Sequence, residues 1–410
     1  VRPTFLHVVL NEFTHDARVL RAARLGVEMG GRVVVLAMGG TDLPAGESAG
    51  GIEVRRFHLF TRPLPKTRPW QMLKYAELGT RAAAAGARLR PALVHAHDLN
   101  ALPIGWTVAG LSGAALLYDS HELWSDRSPG AGRPGWFQRG GGAAERFLGR
   151  RADAVITVSN GLARLITENT GVPVTAVVRN FSERAQARSD GEAEPGAGGR
   201  PPAATGGPEA SPLRRALGAG PDEAVLLYQG GLHPGRGLPL LLDAMARLPR
   251  GRATLAFLGP GPLRPDLEAR ASELGLGEDV RFLDAVPPGE LADWTRGATI
   301  GIHPIEDLSL NHRYCLPNKL FEYIQAGLPV LVSDLPEMRA VVEGYGVGEC
   351  FPAGDAEALA ERVRDLIGEP ERLAAYRVRA LQAGAELSWE REKEKLARLY
   401  RRLLEGDAEA

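Results

Sequence analysis

Ala224-Val225-Leu226-Leu227-Tyr228, followed by Gly230-Gly231-Leu232-His233-Pro234-Gly235-Arg236-Gly237 and then by Leu238-Pro239-Leu240-Leu241-Leu242, decides the fold class. A strand-length apolar run, a glycine-rich turn and a helical stretch in that order are the opening of a βαβ unit. Glycines in the turn let backbone N–H groups approach an anion, and the helix N-terminus adds partial positive charge. The spacing is neither a Rossmann GxGxxG nor a Walker loop, because the terminal Lys-Ser/Thr pair is missing. A glycine-rich turn carrying a solvated Arg is the alternative reading.

The same alternation extends in both directions. Residues 5–10, 33–37, 93–96, 114–118, 154–158 and 175–178 read as strands before the quoted stretch, with helices at 18–29 and 71–89. After it come strands at 254–258, 280–283, 299–302 and 330–332, with helices at 238–248, 265–274 and 318–326. Residues 188–212 interrupt the series. They contain Gly, Pro, Ala, Glu and Ser but no aromatic, Ile, Leu or Val before the end, and read as a linker. The expected layout is a Rossmann-like domain over 1–187, the linker 188–212, a second such domain over 213–387, and a C-terminal helix in 388–410. That helix carries Leu396, Leu399, Tyr400 and Leu403 on one face and is long enough to cross back to the first domain.

The 410 residues suit two domains at roughly 150 residues each. Basic and acidic residues number 49 and 50, so no global field draws the chain to nucleic acid. Cys315 and Cys350 are the only cysteines, which excludes a disulfide scaffold and a zinc ribbon. No run of about 18 apolar residues suits a membrane span, and a cytoplasmic location is expected. Only five of the 49 basic residues are lysine, and Lys319 stands alone between Lys74 and Lys393.

Around that lysine runs Leu316-Pro317-Asn318-Lys319-Leu320-Phe321-Glu322-Tyr323. Pro317 and Asn318 suit a helix start with first-turn amides free, and Glu322 shares a helix face with Lys319 at i, i+3. A nucleoside diphosphate needs the cation and the amides, and a carboxylate can accept both ribose hydroxyls. A surface salt bridge between Lys319 and Glu322 is the alternative.

These elements together resemble the donor-site signature of the family 4 retaining glycosyltransferases. The resemblance covers most of the chain. It includes Thr14-His15-Asp16-Ala17-Arg18-Val19, Tyr118-Asp119-Ser120-His121-Glu122-Leu123-Trp124, Ala152-Asp153-Ala154-Val155-Ile156-Thr157-Val158-Ser159, Arg179-Asn180, Gly259-Pro260-Gly261-Pro262 and Ser388-Trp389-Glu390. It implies an α/β chain of GT-B fold: two facing Rossmann-like doubly wound domains, a cleft between them, and a C-terminal helix returning to the first. It also implies sugar transfer with retention from a nucleotide diphosphate sugar, which serves as co-substrate without a further cofactor, to a small-molecule or lipid-linked acceptor. His121, Arg236 and Lys319 take the catalytic roles, with His121 hydrogen-bonding a sugar hydroxyl. Gly230, Gly231, Asn318, Leu320, Glu322, Gly259 and Val286 fall on the donor. His15, Asp16, Arg18, His312, Arg313 and Tyr314 are the weaker sugar or acceptor contacts. A nucleotide-sugar epimerase on this fold and an inactive nucleotide-sugar-binding subunit are the rival readings.

Two positions depart from the family pattern. The first acid of its Glu-x7-Glu pair is Tyr314 here, with Asn311, His312 or Arg313 as substitutes, and only Glu322 remains. Its Arg in the glycine turn is Gly231, and its Lys is Arg236, which makes Lys319 the replacement cation. His95 and His97 share a strand face, but the sequence specifies no third ligand, so no metal is expected. Asp16 also suits a plain helix cap. Residues 61–90 and 127–151 are Arg-rich, which suits an anionic acceptor or a membrane surface in the first domain, or simply a solvated face.

Overall fold

A computed structural model describes residues 2–14, 16–126, 135–182 and 211–406. The chain divides into two compact units, Val1–Asn180 with Glu392–Ala410, and Phe181–Arg391.

The first unit is built on an eight-stranded sheet. Its strands are β1 (Thr4–Val8), β2 (Arg32–Met38), β3 (Gly46–Ala49), β4 (Ile52–Phe57), β5 (Leu93–His97), β6 (Ala115–Ser120), β7 (Ala154–Thr157) and β8 (Ala176–Val177), in the order β3-β4-β2-β1-β5-β6-β7-β8. Every pairing is parallel except β3 with β4. Covered parallel strands read as continuous apolar runs, and Val33-Val34-Val35-Leu36-Ala37 is buried without a break. The β3–β4 hairpin was not expected from sequence. In β4 the apolar Ile52 and Val54 alternate with the charged Glu53 and Arg55, so it lacks the apolar run that marks its neighbours.

The second unit has six parallel strands: β9 (Ala224–Gln229), β10 (Ala253–Leu258), β11 (Val280–Leu283), β12 (Ile300–His303), β13 (Val330–Ser333) and β14 (Gly348–Phe351), in the order β11-β10-β9-β12-β13-β14. Renumbered from one, that is 3-2-1-4-5-6, the doubly wound order in which strand direction of travel reverses between β9 and β12. Ligands of such sheets sit at the carboxyl ends of the strands at that reversal. The unit's helices include Leu238–Met245, Arg264–Glu273 and Asn318–Gln325 at the expected places. Helices Pro336–Tyr345, Ala356–Gly368 and Pro370–Glu386 and the edge strand β14 were not expected.

Three expected boundaries shift. Phe181 and Ser182 belong to the second unit, because the Phe181 ring is buried against Phe321 with centroids 4.3 Å apart. Ser211 and Pro212 are folded rather than linker: Ser211 is buried and caps helix Pro212–Leu217 by accepting from Arg214 N at 3.2 Å. Residues 188–210 of the linker lie outside the described residues. Helix Trp389–Glu405 begins in the second unit, and from Glu392 onward it belongs to the first, where Leu396, Leu399 and Tyr400 are buried. Among the described residues no helix is long and apolar enough to cross a membrane.

Candidate functional site

In the second unit the reversal between β9 and β12 gathers the glycine turn and the start of helix Asn318–Gln325. Gly230 has φ 108° and Gly259 has φ 139°, conformations open to glycine. A Cβ on Gly259 would lie 2.6 Å from Gly230 O, and one on Gly230 would lie 3.3 Å from Lys319 Nζ. The two glycines therefore let three chain segments close on one point, and Lys319 stands at it.

Lys319 Nζ sits 3.8 Å above the centre of the Tyr228 ring. Among the described residues it has no carboxylate within ion-pair distance. Burial first, and the Arg236 guanidinium second, hold its pKa down at about 7, with Glu322 pulling the other way. Arg236 likewise makes no hydrogen bond or ion pair among the described residues. Two cations near enough to disfavour one another, with no anion between them, form a site that lacks its counter-charge. Helix Asn318–Gln325 starts beside them with Pro317 at the cap and no side-chain cap bond; Leu320 N donates to Pro317 O at 3.1 Å, and the Asn318 and Lys319 amides stay available.

Glu322 does not pair with Lys319. Its Oε2 accepts from Gln229 Nε2 at 2.6 Å and its Oε1 from Ser182 Oγ at 3.4 Å. Gln229 is in turn fixed by Thr295 Oγ1, which donates to its Oε1 at 2.8 Å. The carboxylate is thus oriented by neutral groups.

The remaining expected residues are placed as follows. Leu320 is in the hydrophobic core, so only its backbone is near the turn, and Asn318 is exposed. Val286 packs half-buried against the core after β11. Gly231 faces His233, whose ring a Cβ would meet at 2.6 Å. His312 Nδ1 donates to Glu306 O at 2.9 Å, and Arg313 donates to Asp307 at 2.6 Å. Tyr314 closes the short helix Leu310–Arg313.

His303 was not singled out from sequence. It ends β12, is fully buried, and neither ring nitrogen has a hydrogen-bond partner among the described residues. Burial, then Lys319, Arg236 and His312, hold it neutral. Its ring lies over Tyr228 with centroids 6.3 Å apart. Tyr228, Gln229 and His303 share a readable signal: a polar side chain closing an otherwise apolar parallel strand at its carboxyl end.

In the first unit the equivalent strand ends converge on one buried carboxylate. Asp119, at the end of β6, accepts from Arg18 Nε at 2.8 Å and Nη2 at 2.7 Å. His121 Nε2 lies 3.1 Å from Asp119 and its Nδ1 lies 3.4 Å from Asp98. Burial would lower the His121 pKa, but Asp119 and Asp98 outweigh it and raise the value to about 10. His121 is therefore an imidazolium near neutrality, a donor from both nitrogens, and its side chain is 23% exposed. Asp98 holds φ 67°, an uncommon conformation for a non-glycine residue at the helix start beside His121.

Sequence gave His95 and His97 no third neighbour, and the structure adds His7 from β1. His7 Nδ1 lies 3.1 Å from His97 Nε2, and His95 Nδ1 lies 2.8 Å from Tyr400 Oη of the C-terminal helix. His7, His95 and His97, and separately His97, Asp119 and His121, bring possible metal-ligand atoms within 4.8 Å of one another. One ring nitrogen of each of His7, His95 and His97 serves those hydrogen bonds, while His7 Nε2, His95 Nε2 and His97 Nδ1 have no hydrogen-bond partner among the described residues, and at Asp119 a cation would have to displace the Arg18 guanidinium. No metal is assigned there.

Arg18, expected as a sugar contact, is buried and directed to Asp119 and to Val178 O at 2.8 Å. Asp16 caps helix Ala17–Glu28, accepting from Val19 N at 3.1 Å. His15 lies outside the described residues. Of the two Arg-rich stretches, residues 127–134 also lie outside them.

Comparisons with known proteins agree with this architecture. Residues 15–180 match the family described as glycosyl transferase 4-like domain, and residues 223–369 match glycosyl transferases group 1. A D-inositol 3-phosphate glycosyltransferase of Catenulispora acidiphila is 33% identical over 204 residues, 47% of either chain, so the chain spans about half the length of that relative. One of Rhodococcus opacus is 27% identical over 404 residues, 93% of this chain and 83% of that one. Among solved structures, a sucrose-phosphate synthase of Thermosynechococcus elongatus superposes with a TM-score of 0.78 at 19% identity, covering 98% of this chain and 100% of that one. The Anabaena protein HepE in complex with UDP-glucose gives 0.71 at 17% identity, covering 97% and 99%. Two parallel-sheet units, each matched by its own glycosyltransferase domain, establish that the chain belongs to the family 4 glycosyltransferases and has the GT-B fold.

Proposed function

We propose that the protein is a retaining glycosyltransferase that moves a sugar from a nucleoside diphosphate sugar to a small-molecule or lipid-linked acceptor. The observation that carries this reading is the pair Lys319 and Arg236, two cations without a carboxylate partner beside an uncapped helix N-terminus. Departure of the nucleoside diphosphate builds negative charge on its outer phosphate, and fixed donors aimed at that charge lower the barrier. Glu322, oriented by Gln229 and Ser182, accepts the ribose hydroxyls. His121 donates to a sugar hydroxyl through the Nδ1–H that the substrate-free protein directs at Asp98 over a long 3.4 Å, while Nε2–H stays on Asp119, and, being positively charged, it is not the base that activates the acceptor. In a retaining transfer of this kind the acceptor hydroxyl attacks from the face that the phosphate leaves, and the departing phosphate oxygen takes its proton. UDP-glucose in the HepE complex makes UDP the first donor base to test.

The test is incubation with UDP-glucose and the corresponding GDP, ADP and dTDP sugars without acceptor. Slow release of free sugar and nucleoside diphosphate from one of them supports a transferase. Appearance of an epimeric nucleotide sugar instead would establish the epimerase reading. A rise in Tm without any turnover would leave only a binding subunit.

A further inference from the structure

The first unit contains a cavity of about 250 Å³ that the assignments above do not use. Tyr75, Leu99, Pro103 and Trp124 form its walls, helix Gly135–Gly149 closes it at Gly140 and Gly141, and no charged side chain lines it. Its place is next to the His121–Asp98 pair: Leu99 directly follows Asp98, and Trp124 lies one short turn after His121. The wall is held in position by Tyr75 Oη, which donates to Asn100 O at 2.8 Å.

The glycines give the cavity its shape. Glycine inside a helix is less favourable than alanine by roughly 1 kcal/mol, so Gly140, Gly141 and Gly142 in succession call for a physical reason. At Gly141 the reason is steric, because a Cβ would collide with Nε1 and Cδ1 of the Trp124 indole. At Gly140 a Cβ would meet nothing within 4 Å. There the missing side chain leaves open space and relieves no crowding. The volume is below the roughly 300–1,000 Å³ of sites that enclose a whole drug-sized ligand, so it suits part of a molecule. An uncharged lining with one indole, one phenol and Asn100 as its only side-chain amide suits an aromatic ring or a short alkyl chain better than a phosphate or a fully hydroxylated ring.

We infer that this cavity is an acceptor subsite for an apolar aglycone, an aromatic or short alkyl group attached to the hydroxyl-bearing part that approaches His121. The inference rests on the acceptor reading given under Proposed function and narrows it to acceptors with one apolar end.

Calorimetry on the full chain tests it with two probe pairs, p-nitrophenyl against methyl α-D-glucopyranoside and the same pair of α-D-mannopyranosides. In at least one pair the p-nitrophenyl compound should bind ten-fold or more tightly than the methyl compound, about 1.4 kcal/mol. Gly140→Leu, which fills the space without crowding the helix, should abolish that preference while its Tm stays at or above the wild-type value. Tyr75→Ala, which removes a wall, should weaken it. Equal binding of both members of each pair, including no binding of either, overturns the subsite, as does a preference that survives Gly140→Leu. UDP is titrated into the same samples. UDP binding without an aglycone preference means that the subsite alone is wrong, whereas failure to bind UDP counts against the donor assignment and leaves the aglycone result to be judged by itself.

Discussion

Lys319 holds its ammonium 3.8 Å above the ring of Tyr228 and forms no ion pair with Glu322, one helical turn along the same helix, whose Oε2 accepts instead from Gln229. That separation keeps a cation and a carboxylate apart at a distance where a surface salt bridge would ordinarily form. On the function proposed above, the ammonium would meet the diphosphate and the carboxylate the ribose of one donor.

Glu322→Gln should weaken binding of the nucleoside diphosphate by roughly 1.5–3 kcal/mol, the range for hydrogen bonds to a charged group. The variant keeps the shape and the contacts with Gln229 and Ser182 can be re-formed by the amide, so the fold should be unaffected. Calorimetry with UDP measures it, and unchanged affinity would remove Glu322 from the ribose.

Asp119→Asn should destabilise the first unit by about 3–5 kcal/mol, because it leaves the Arg18 guanidinium buried without a counter-charge. Denaturant unfolding followed by fluorescence provides the value. A loss below about 1 kcal/mol would mean that water reaches Arg18 and that the ion pair is structurally unimportant.

The charges on His121 and Asp119 give the first unit opposite sensitivities at the two ends of the pH scale. The His121 value in the fold, about 10, lies above its unfolded 6.5, so its contribution is complete below 6.5 and is lost as pH rises toward 10. Asp119 is held well below its usual 3.8 by Arg18 and His121 against the effect of burial, so its contribution is present above 3.8 and is lost as pH falls further. Between pH 7 and 10 the wild-type Tm should therefore decline more steeply than that of His121→Asn. Parallel declines would show that His121 is neutral in the fold.

Replacing residues 188–210 by about eight Gly and Ser residues should leave donor hydrolysis within a few-fold, since loop-closure cost changes only logarithmically with length. Ser211 must be kept, because it caps a helix of the second unit. A collapse in rate with an unchanged Tm would show that the segment takes part in the site.

Lys319, Arg236 and Glu322 were legible because strand, glycine turn and helix start are local patterns, each readable within ten or so residues. What orients them was not. Gln229 is 93 residues from Glu322, and His303 reaches Tyr228 only through the neighbouring position of β9 and β12 in the sheet. The cluster around Asp119 depends on separations as long or longer: His7 meets His97 across 90 residues, and Tyr400 meets His95 across 305. His95 and His97 were recognisable as sharing a face from the two-residue period of a strand, but the third histidine comes from an adjacent strand whose register the sequence does not print. Arg18, expected as a sugar or acceptor contact, is buried instead against Asp119, 101 residues away in the chain.

The most direct measurement is the number of protons taken up when UDP binds, obtained by calorimetry at pH 8 in buffers of differing ionisation enthalpy. Lys319 is mostly neutral at pH 8 in the free protein, with its pKa near 7, and a diphosphate beside it should restore the charge. The account predicts uptake of most of one proton at pH 8, falling toward zero below pH 6, where Lys319 is already charged. It also predicts that Lys319→Met abolishes the uptake, and that Lys319→Ala and Arg236→Ala combine to lose less affinity than the sum of their single effects. UDP binding with no proton uptake at pH 8, or the same uptake in Lys319→Met, would contradict the assignment of Lys319 and Arg236 as the diphosphate site.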